Sequence, residues 1–284
     1  MAINSSNKNG RALEYAITTD LFKSGINASL TQRAISDNAR DLPKFQSLSA
    51  ELQRDYLTAS TKISTWVNSQ FGSNSKVIDR LPDLASSVND IEIKSSNKIL
   101  LLSVKHNHLA LKHPRPYSLA QAFGYPTKSI EDKQHRADMK SVADRFRVLA
   151  NGVKKYSEAE VAKQQMYVEI CQVCEASINR WLATNQALSI NFFKFIVSGG
   201  FYKVIVETRG SVPTVKIQDF LAIPLPSSAN ASSAKNRLLV KFSNGWVINL
   251  RIHTASEKIS KSSSQLSLKF DAQRDAGGVN EITL

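Results

Sequence analysis

The sequence predicts a mixed α/β fold of the α+β kind, and three observations carry that prediction. Apolar residues recur at helical spacing through much of residues 1–93, the hydrophobic period changes to two near residue 89, and strand-like segments dominate after residue 186. Helices, a hairpin, helices and then strands do not give the regular alternation of an α/β barrel. For the 284 residues we expect one domain, 1–284, mainly helical over 1–185 and β-rich over 186–284.

Four helices are predicted from apolar residues that lie three or four positions apart. They cover residues 11–23, 48–71, 130–149 and 158–182. We expect Asn9-Gly10 to start the first helix and Ser49 to cap the second. The apolar stripe of the first helix is Leu13, Ala16, Ile17 and Leu21.

Strands are predicted where polar and apolar residues alternate or where short apolar runs lie between turn signals. Residues 90–94 and 99–105 flank the turn-forming segment 95–98, so we expect an antiparallel hairpin over 90–105. Asn244-Gly245 favours a second tight hairpin turn. Further strands are predicted over 192–197, 202–207, 238–242, 246–252 and 266–270, and Ser-rich loops over 227–233 and 260–264.

The composition excludes several classes of protein. With 42% apolar residues the chain has enough material for a core, so wholesale disorder is excluded. No purely apolar run exceeds four residues, so we expect no membrane span and no secretory leader. Cys171 and Cys174 cannot form a disulfide scaffold and indicate a reducing compartment, the cytoplasm. Their spacing inside a helical pattern is typical of small buried residues rather than of a zinc site.

The net charge of +13 is concentrated in two parts of the chain. Residues 94–155 carry thirteen basic and four acidic side chains, and residues 220–284 carry eight and four. Residues 1–93 and 156–219 are each neutral. A local basic excess on an otherwise balanced chain indicates a polyanionic partner, most simply nucleic acid.

The predicted hairpin carries the residues best suited to chemistry. Alternation places Asp90, Glu92 and Lys94 on one face of the first strand, and Ser103 and Lys105 on one face of the second. Asp90 and Lys105 are then expected to meet at the open end of the hairpin. A carboxylate that holds Mg²⁺ beside a lysine that stabilises negative charge suits phosphodiester hydrolysis.

This pattern resembles the metal site of the PD-(D/E)xK nuclease superfamily, in which an acid opens one strand and acid-x-Lys closes the next. Here Ser103 stands where the second acid is expected. The resemblance implies that Asp90, the Val104 carbonyl and either Glu92 or Glu14 hold Mg²⁺. It also implies that Lys105 orients the attacking water.

More specifically, the chain resembles the HaeIII-type restriction endonucleases. The resemblance rests on blocks that run from residue 10 to residue 271. These blocks are residues 10–16, 90–91, 103–108, 112–115, 244–246, 251–253 and 267–271. It implies a restriction-endonuclease-like mixed central sheet flanked by helices, and a type II enzyme that cuts double-stranded DNA at GGCC with Mg²⁺. Such an enzyme belongs to a restriction–modification system in the bacterial cytoplasm, is paired with a cognate DNA methyltransferase, and is expected to act as a homodimer on a palindromic target.

DNA-binding residues are expected in the two basic segments, because phosphate and guanine edges both attract Lys and Arg. Arg115, between two prolines, lies in a stiff extended segment, and residues 247–253 form a strand with one polar face. The predicted set is Lys94, His106, Asn107, His108, Lys112, His113, Arg115, Arg251, His253 and Lys269.

Two alternatives remain open from the sequence. Asp83 with Glu92 and Lys94 also matches the letters of the superfamily motif, although only eight residues separate Asp83 from Glu92. The absence of an acid at Ser103 also keeps open a non-catalytic DNA-binding protein on a nuclease scaffold. A repair or junction-resolving nuclease without sequence specificity is the third interpretation.

Overall fold

The computed structural model describes residues 5–25, 27–72, 74–82, 88–107, 111–260 and 265–284. Within these ranges the chain forms seven α-helices, a seven-strand mixed sheet and a four-strand antiparallel sheet, which confirms the predicted mixed α/β fold. The chain divides into two compact units. Unit 1 comprises Met1–Leu109, Gly199–Ile223 and Val279–Leu284, and unit 2 comprises Ala110–Ser198 and Pro224–Gly278. The single domain over 1–284 stays a prediction.

The secondary-structure elements are numbered in chain order. The helices are α1 (Ser5–Ser24), α2 (Gln32–Gln46), α3 (Ala50–Phe71), α4 (Leu119–Ala122), α5 (Ile130–Leu149), α6 (Glu160–Thr184) and α7 (Leu188–Val197). The strands are β1 (Ala28–Leu30), β2 (Lys76–Arg80), β3 (Ile91–Lys94), β4 (Ile99–His106), β5 (Tyr202–Glu207), β6 (Thr214–Asp219), β7 (Ala229–Ala234), β8 (Arg237–Phe242), β9 (Val247–Thr254), β10 (Leu268–Ala276) and β11 (Glu281–Thr283). Short 3₁₀ turns lie at Pro116–Ser118 and Tyr156–Glu158.

Unit 1 is a mixed sheet with helices packed against one of its faces. The strand order is β1-β2-β3-β4-β5-β6-β11, with β1–β2 and β4–β5 parallel and the remaining pairs antiparallel. The buried core joins one face of β2–β6 to α1 and α3. Its sheet members include Ile78, Ile91, Ile93, Leu102, Val204 and Ile217. Burial of these β-branched and aliphatic side chains is the main force that holds the unit together.

The predicted helices of unit 1 are confirmed, although their ends differ. Leu13, Ala16, Ile17 and Leu21 are all buried, as the stripe requires. The expectation that Asn9-Gly10 starts the first helix is wrong, because α1 begins at Ser5 and runs through both residues. The start of α3 is capped as predicted, since the Ser49 side chain accepts a hydrogen bond from the Leu52 amide.

Unit 2 is an antiparallel sheet in the order β10-β9-β8-β7 packed against α6. Helix α6 also covers the outer strand, because Asn179 exchanges two 2.9 Å hydrogen bonds with the backbone of Ala231 on β7. The two cysteines on α6 are buried free thiols, as predicted. An aromatic cluster completes the core, in which Phe123 stacks on Phe192 with 4.4 Å between ring centroids.

Two predictions for this unit are wrong. The strand over 192–197 is part of α7, because Phe192, Phe193, Ile196 and Val197 lie on one buried side of a helix that continues upstream. The run is apolar and aromatic, so its composition favours a strand and only its neighbours reveal the helix. The loop over 227–233 contains the strand β7, which pairs with β8 despite its Ser-rich sequence. Residues 261–264 of the other predicted loop lie outside the described residues.

Candidate active site

Asp90 and Lys105 meet at the open end of the β3–β4 hairpin. The two strands pair from Ile91 opposite Leu102 to Lys94 opposite Ile99, so the hairpin predicted over 90–105 is confirmed. The Asp90 amide continues the pairing by donating to the Leu102 carbonyl at 2.8 Å. Lys105 Nζ lies 3.2 Å from Asp90 Oδ2. The structure therefore brings the predicted acid and lysine into direct contact.

The local sequence explains why the hairpin forms in this register. Ile91 and Ile93 are fully buried in the core of unit 1, whereas Glu92 and Lys94 lie on the other face of the strand. A shift of one residue would expose both isoleucines, so the alternating pattern fixes the pairing. The Ser95 amide donates to the Lys98 carbonyl at 2.8 Å and closes the turn.

The Asp90 carboxylate is held against the backbone of β4. Its Oδ2 accepts hydrogen bonds from the Val104 amide at 2.6 Å and from Lys105 Nζ, while no described residue donates to Oδ1. The amide and carbonyl of one strand residue point to the same edge of the strand. The Val104 carbonyl therefore faces the edge at which Asp90 lies.

Ser103 occupies the position at which the nuclease motif has its second acid. It lies on the same face of β4 as Lys105 and is 1% exposed. A neutral hydroxyl does not supply the negative charge that a carboxylate supplies to a hard cation. A second acid for this site has to come from another element.

Glu14, on α1, is the acid that couples most clearly to Asp90. Its carboxylate is nearly buried, 2.9 Å from Arg11 Nη1 and 2.5 Å from Arg80 Nη2. Burial raises the pKa of Glu14, the negative charge of Asp90 raises it further, and the two arginines act in the opposite direction. The Glu14 and Asp90 carboxylates therefore act on each other, with Arg11 and Arg80 on Glu14 and Lys105 on Asp90.

A buried arginine that sequence reasoning missed organises this corner of unit 1. The Arg80 side chain is 0% exposed and lies 2.8 Å from Asp41 Oδ2 as well as beside Glu14. Asp41 is also fully buried and is bonded by Lys44 at 2.7 Å. Arg80 and Glu14 are 66 positions apart in the chain, so no local motif could have indicated the contact.

Glu92, the other predicted second acid, has a partner of its own. Lys94 Nζ lies 2.8 Å from Glu92 Oε1 on the same face of β3. Half of the Lys94 side chain is exposed. Asp83, the acid of the alternative motif, lies outside the described residues, so the structure does not decide between Asp83 and Asp90.

His106 and Asn107, at the end of β4, form hydrogen bonds to residues at the end of β5. Asn107 has φ of +57°. Its side-chain oxygen accepts a hydrogen bond from the Thr208 backbone amide at 2.9 Å, and its backbone amide donates to the Val206 carbonyl. The His106 ring lies 3.1 Å from the Thr208 hydroxyl and packs edge-on against Tyr56. Burial lowers the pKa of His106, and Arg209 lowers it further. Both predicted DNA-binding side chains thus have internal partners, and the third, His108, lies outside the described residues.

The remaining predicted DNA-binding residues lie in unit 2. Lys112 packs over the Phe195 ring, with Nζ 4.2 Å from the centroid, and the Arg115 side chain is exposed. His113, Arg251 and His253 lie in one cluster around Asp271, an acid that sequence reasoning did not select. Lys269 is the Cα partner of His253 in the β9–β10 pair.

The residues around Asp90 fit a Mg²⁺ ion. No group of three His, Cys, Asp or Glu side chains within the described ranges forms a ready metal cluster. Mg²⁺, however, keeps several waters and is commonly bound by one or two carboxylates together with substrate phosphate. Asp90 Oδ1, the Val104 carbonyl and the Glu14 carboxylate are oxygen donors of the kind that Mg²⁺ prefers.

The contact between Asp90, directly before β3, and Lys105, on β4, can be set beside the comparison with known families. Residues 83–229, more than half of the chain, match the family model described as HaeIII restriction endonuclease. The chain therefore belongs to the HaeIII restriction endonuclease family. It is accordingly a restriction endonuclease, a hydrolase whose substrate is DNA.

Two further comparisons and a search for membrane spans gave negative results. No curated protein and no solved structure matches the chain. None of the helices in the described ranges is both long enough and apolar enough to cross a bilayer.

Proposed function

We propose that this chain is a type II site-specific deoxyribonuclease that cuts double-stranded DNA at GGCC and depends on Mg²⁺. The observation that carries the proposal is the 3.2 Å contact between Lys105 Nζ and the Asp90 carboxylate at the end of the hairpin. A fixed acid–ammonium pair of this kind suits a reaction in which negative charge develops on a phosphoryl group.

Asp90, the Val104 carbonyl and Glu14 are the residues we assign to hold Mg²⁺. We favour Glu14 over Glu92 because the charge of Asp90 acts on the Glu14 carboxyl. Both acids already have cationic partners, Arg11 and Arg80 for Glu14 and Lys94 for Glu92. Ser103 takes the place of the missing motif acid and adds no charge. When bound, Mg²⁺ would polarise the scissile phosphate and lower the pKa of a water.

Lys105 has the complementary role in this proposal. Its ammonium has three donors, of which the contact with Asp90 uses one. No residue in the described ranges is seen to use the other two, which in this proposal orient the attacking water and stabilise the charge on the phosphoryl oxygens. A quarter of the Lys105 side chain is exposed to solvent, so in this proposal the ammonium can reach the substrate.

DNA is bound, in this proposal, by basic residues of both units. Lys94 and Arg115 are exposed and suit phosphate contacts, as does the lysine at position 112. Arg251, His253 and Lys269 lie on β9 and β10, and an antiparallel pair of strands fits the major groove. His113 joins the same cluster through Asp271. His106 and Asn107, at the end of β4, and also His108 are proposed as further DNA contacts.

The biological setting follows from the proposed target. A GGCC palindrome calls for two identical active sites, so we propose a two-fold symmetric homodimer. The cell's own GGCC sites need protection, so we propose a cognate DNA methyltransferase and a restriction–modification system in the bacterial cytoplasm. We also propose that residues 1–284 act as one domain, and the family match across segments of both units supports this.

Plasmid cleavage tests the function directly. The purified protein is incubated with plasmid DNA with and without Mg²⁺, and the fragment ends are sequenced. We expect discrete fragments ending within GGCC only when Mg²⁺ is present. A smear would indicate a nuclease without sequence specificity, and retarded but intact DNA would indicate a binding protein on a nuclease scaffold.

Lys105→Ala tests the mechanism in the same assay. We expect cleavage to fall by at least about a hundredfold while DNA binding is largely retained, because one charge-stabilising donor is worth that much in rate. Lys98→Ala is the matched control, since Lys98 lies in the turn of the same hairpin and donates to the Gln70 carbonyl. Normal turnover in Lys105→Ala would refute the assigned role.

A further inference from the structure

The antiparallel sheet of unit 2 has one buried and one polar face. Leu250, Ile252 and Phe270 are buried, as alternate residues of β9 and β10. The other face carries the intervening residues, whose exposed cations include Arg237, Lys241 and Arg251. A two-sided sheet of this kind leaves a flat basic surface available for a polyanion.

Asp271 lies on the same face and contacts one of these cations, Arg251, together with two histidines. It is the Cα partner of Arg251, and Arg251 Nη2 lies 3.1 Å from Asp271 Oδ2. Asp271 Oδ1 lies 3.0 Å from His253 Nε2 and 3.7 Å from His113 Nδ1. Burial of the carboxyl opposes its ionisation, but the Arg251 and His253 contacts outweigh burial and lower the pKa of Asp271.

The cluster is assembled from three separate segments of the chain. The Leu111 amide donates to the Ala272 carbonyl at 2.9 Å and the Phe270 amide donates to the Pro114 carbonyl at 3.0 Å, so the segment 111–114 runs along the free edge of β10. This pairing brings His113 to Asp271. Backbone hydrogen bonds on both sides of β10 therefore fix the position of the acid.

A carboxylate does not suit a surface that only neutralises phosphates, because its negative charge repels the phosphates. It is a good choice where cationic side chains must be held in one orientation. Base edges are read by side chains with fixed geometry, and an arginine reads guanine through two parallel donors. The single contact of Nη2 with Asp271 favours one orientation of the Arg251 guanidinium, while about half of the side chain stays exposed.

We propose that Asp271 is a positioning residue for target recognition, which holds Arg251 and His253 in the orientation needed to read base edges in the major groove. This inference rests on the proposed function, because it assumes that the chain cuts a specific sequence. It adds a residue whose role is discrimination between sequences rather than affinity for DNA.

Asp271→Asn tests the inference when the cleavage rate at the target is compared with the rate at sites that differ by one base pair. We expect the ratio of these rates to fall about tenfold or more, because an unfixed arginine loses bidentate geometry. Asp275→Asn is the matched control, since Asp275 lies on the same strand, carries the same charge and is bonded to the neutral Asn249 amide at 2.9 Å. A ratio unchanged in Asp271→Asn, or lowered equally in Asp275→Asn, would overturn the inference.

A double-mutant cycle separates positioning from a purely structural effect. If Asp271 acts through Arg251, then Asp271→Asn should have little further effect on the rate ratio in an Arg251→Ala background. A full additional loss there would contradict the inference. If the wild type cuts at a sequence other than GGCC, only the proposed target is wrong, and the same ratios at that sequence still decide the role of Asp271. Cleavage without any sequence preference would contradict both proposals.

Discussion

Asp90 shares its carboxylate between a backbone amide and an ammonium, and this arrangement fixes the acid before any substrate binds. The Val104 amide lies at 2.6 Å and Lys105 Nζ at 3.2 Å, both on the same oxygen. In the proposed function the other oxygen binds Mg²⁺. Lys105 lies on β4, and Asp90, directly before β3, keeps a ladder hydrogen bond to Leu102, which suits a catalytic site that needs fixed geometry.

The buried Arg80–Asp41 pair is a second feature at the level of single residues. Asp41→Asn leaves the buried Arg80 with one carboxylate partner, Glu14, in place of two, so it should lower the free energy of unfolding by about 3 kcal/mol at neutral pH. Urea denaturation measures this. The control is Asp37→Asn, which removes a partly exposed pair with Arg40 and should cost under about 1 kcal/mol.

The same pair predicts a pH dependence of stability. Burial of Asp41 favours the protonated acid, but the hydrogen bonds from Arg40 and Lys44 and the charge of Arg80 prevail and lower its pKa to about 2. A depressed pKa contributes stability above the unfolded value of 3.8 that is lost as the pH falls through about 2. The difference between wild type and Asp41→Asn should therefore shrink between pH 4 and pH 2. A constant difference over that range would refute this account of Asp41.

At the scale of elements, the helices and strands that could be predicted are those with a regular hydrophobic pattern within their own sequence. The helix over 130–149 and the hairpin over 90–105 were correct because a continuous amphipathic pattern specified each of them. The helix α2 and the strands β2 and β6 were missed, and β7 was taken for a loop. These short segments depend on neighbours distant in the chain, which local periodicity does not contain.

The residues of the candidate site also differ in whether the sequence could predict them. Asp90 and Lys105 were predictable because they lie on one local hairpin. Arg80, Asp41 and Asp271 were not, since each acts through residues of another segment.

Gly277, directly after β10, gives a prediction that concerns the end of this element. It has φ of +118°, and a Cβ there would lie 2.7 Å from the Trp246 ring. Gly277→Ala should therefore lower the free energy of unfolding by about 2 kcal/mol or more, through backbone strain and displacement of the ring. Gly278→Ala is the matched control, because its Cβ would meet nothing within 4 Å. Equal thermal stability of the two variants would contradict this interpretation.

At the scale of the whole molecule, the distribution of charge agrees with a DNA substrate. The excess begins at Lys94, in the hairpin whose open end carries the proposed site, and returns on the exposed face of the unit 2 sheet. The neutral segments, 1–93 and 156–219, contain five of the helices, α1, α2, α3, α6 and α7. The positive charge therefore has a function in this account, which is to hold the DNA that the Asp90–Lys105 pair cuts.

The proposed homodimer is also a property of the whole molecule. A symmetric enzyme on a palindrome should sediment alone with twice the mass of the 31.4 kDa chain, or bind a GGCC duplex as two chains per duplex. Analytical ultracentrifugation with and without a short duplex measures this. A single chain bound to each duplex would contradict the dimer and leave the catalytic proposal standing.

The most direct test of the central claim compares two acids in one cleavage assay. Single-turnover cutting of a GGCC duplex in Mg²⁺ is measured for the wild type, for Asp90→Asn and for Asp83→Asn, with DNA binding measured in parallel. The account predicts that Asp90→Asn binds DNA and loses cutting by at least about a hundredfold, while Asp83→Asn cuts normally. Loss of cutting in Asp83→Asn with activity retained in Asp90→Asn would contradict the account.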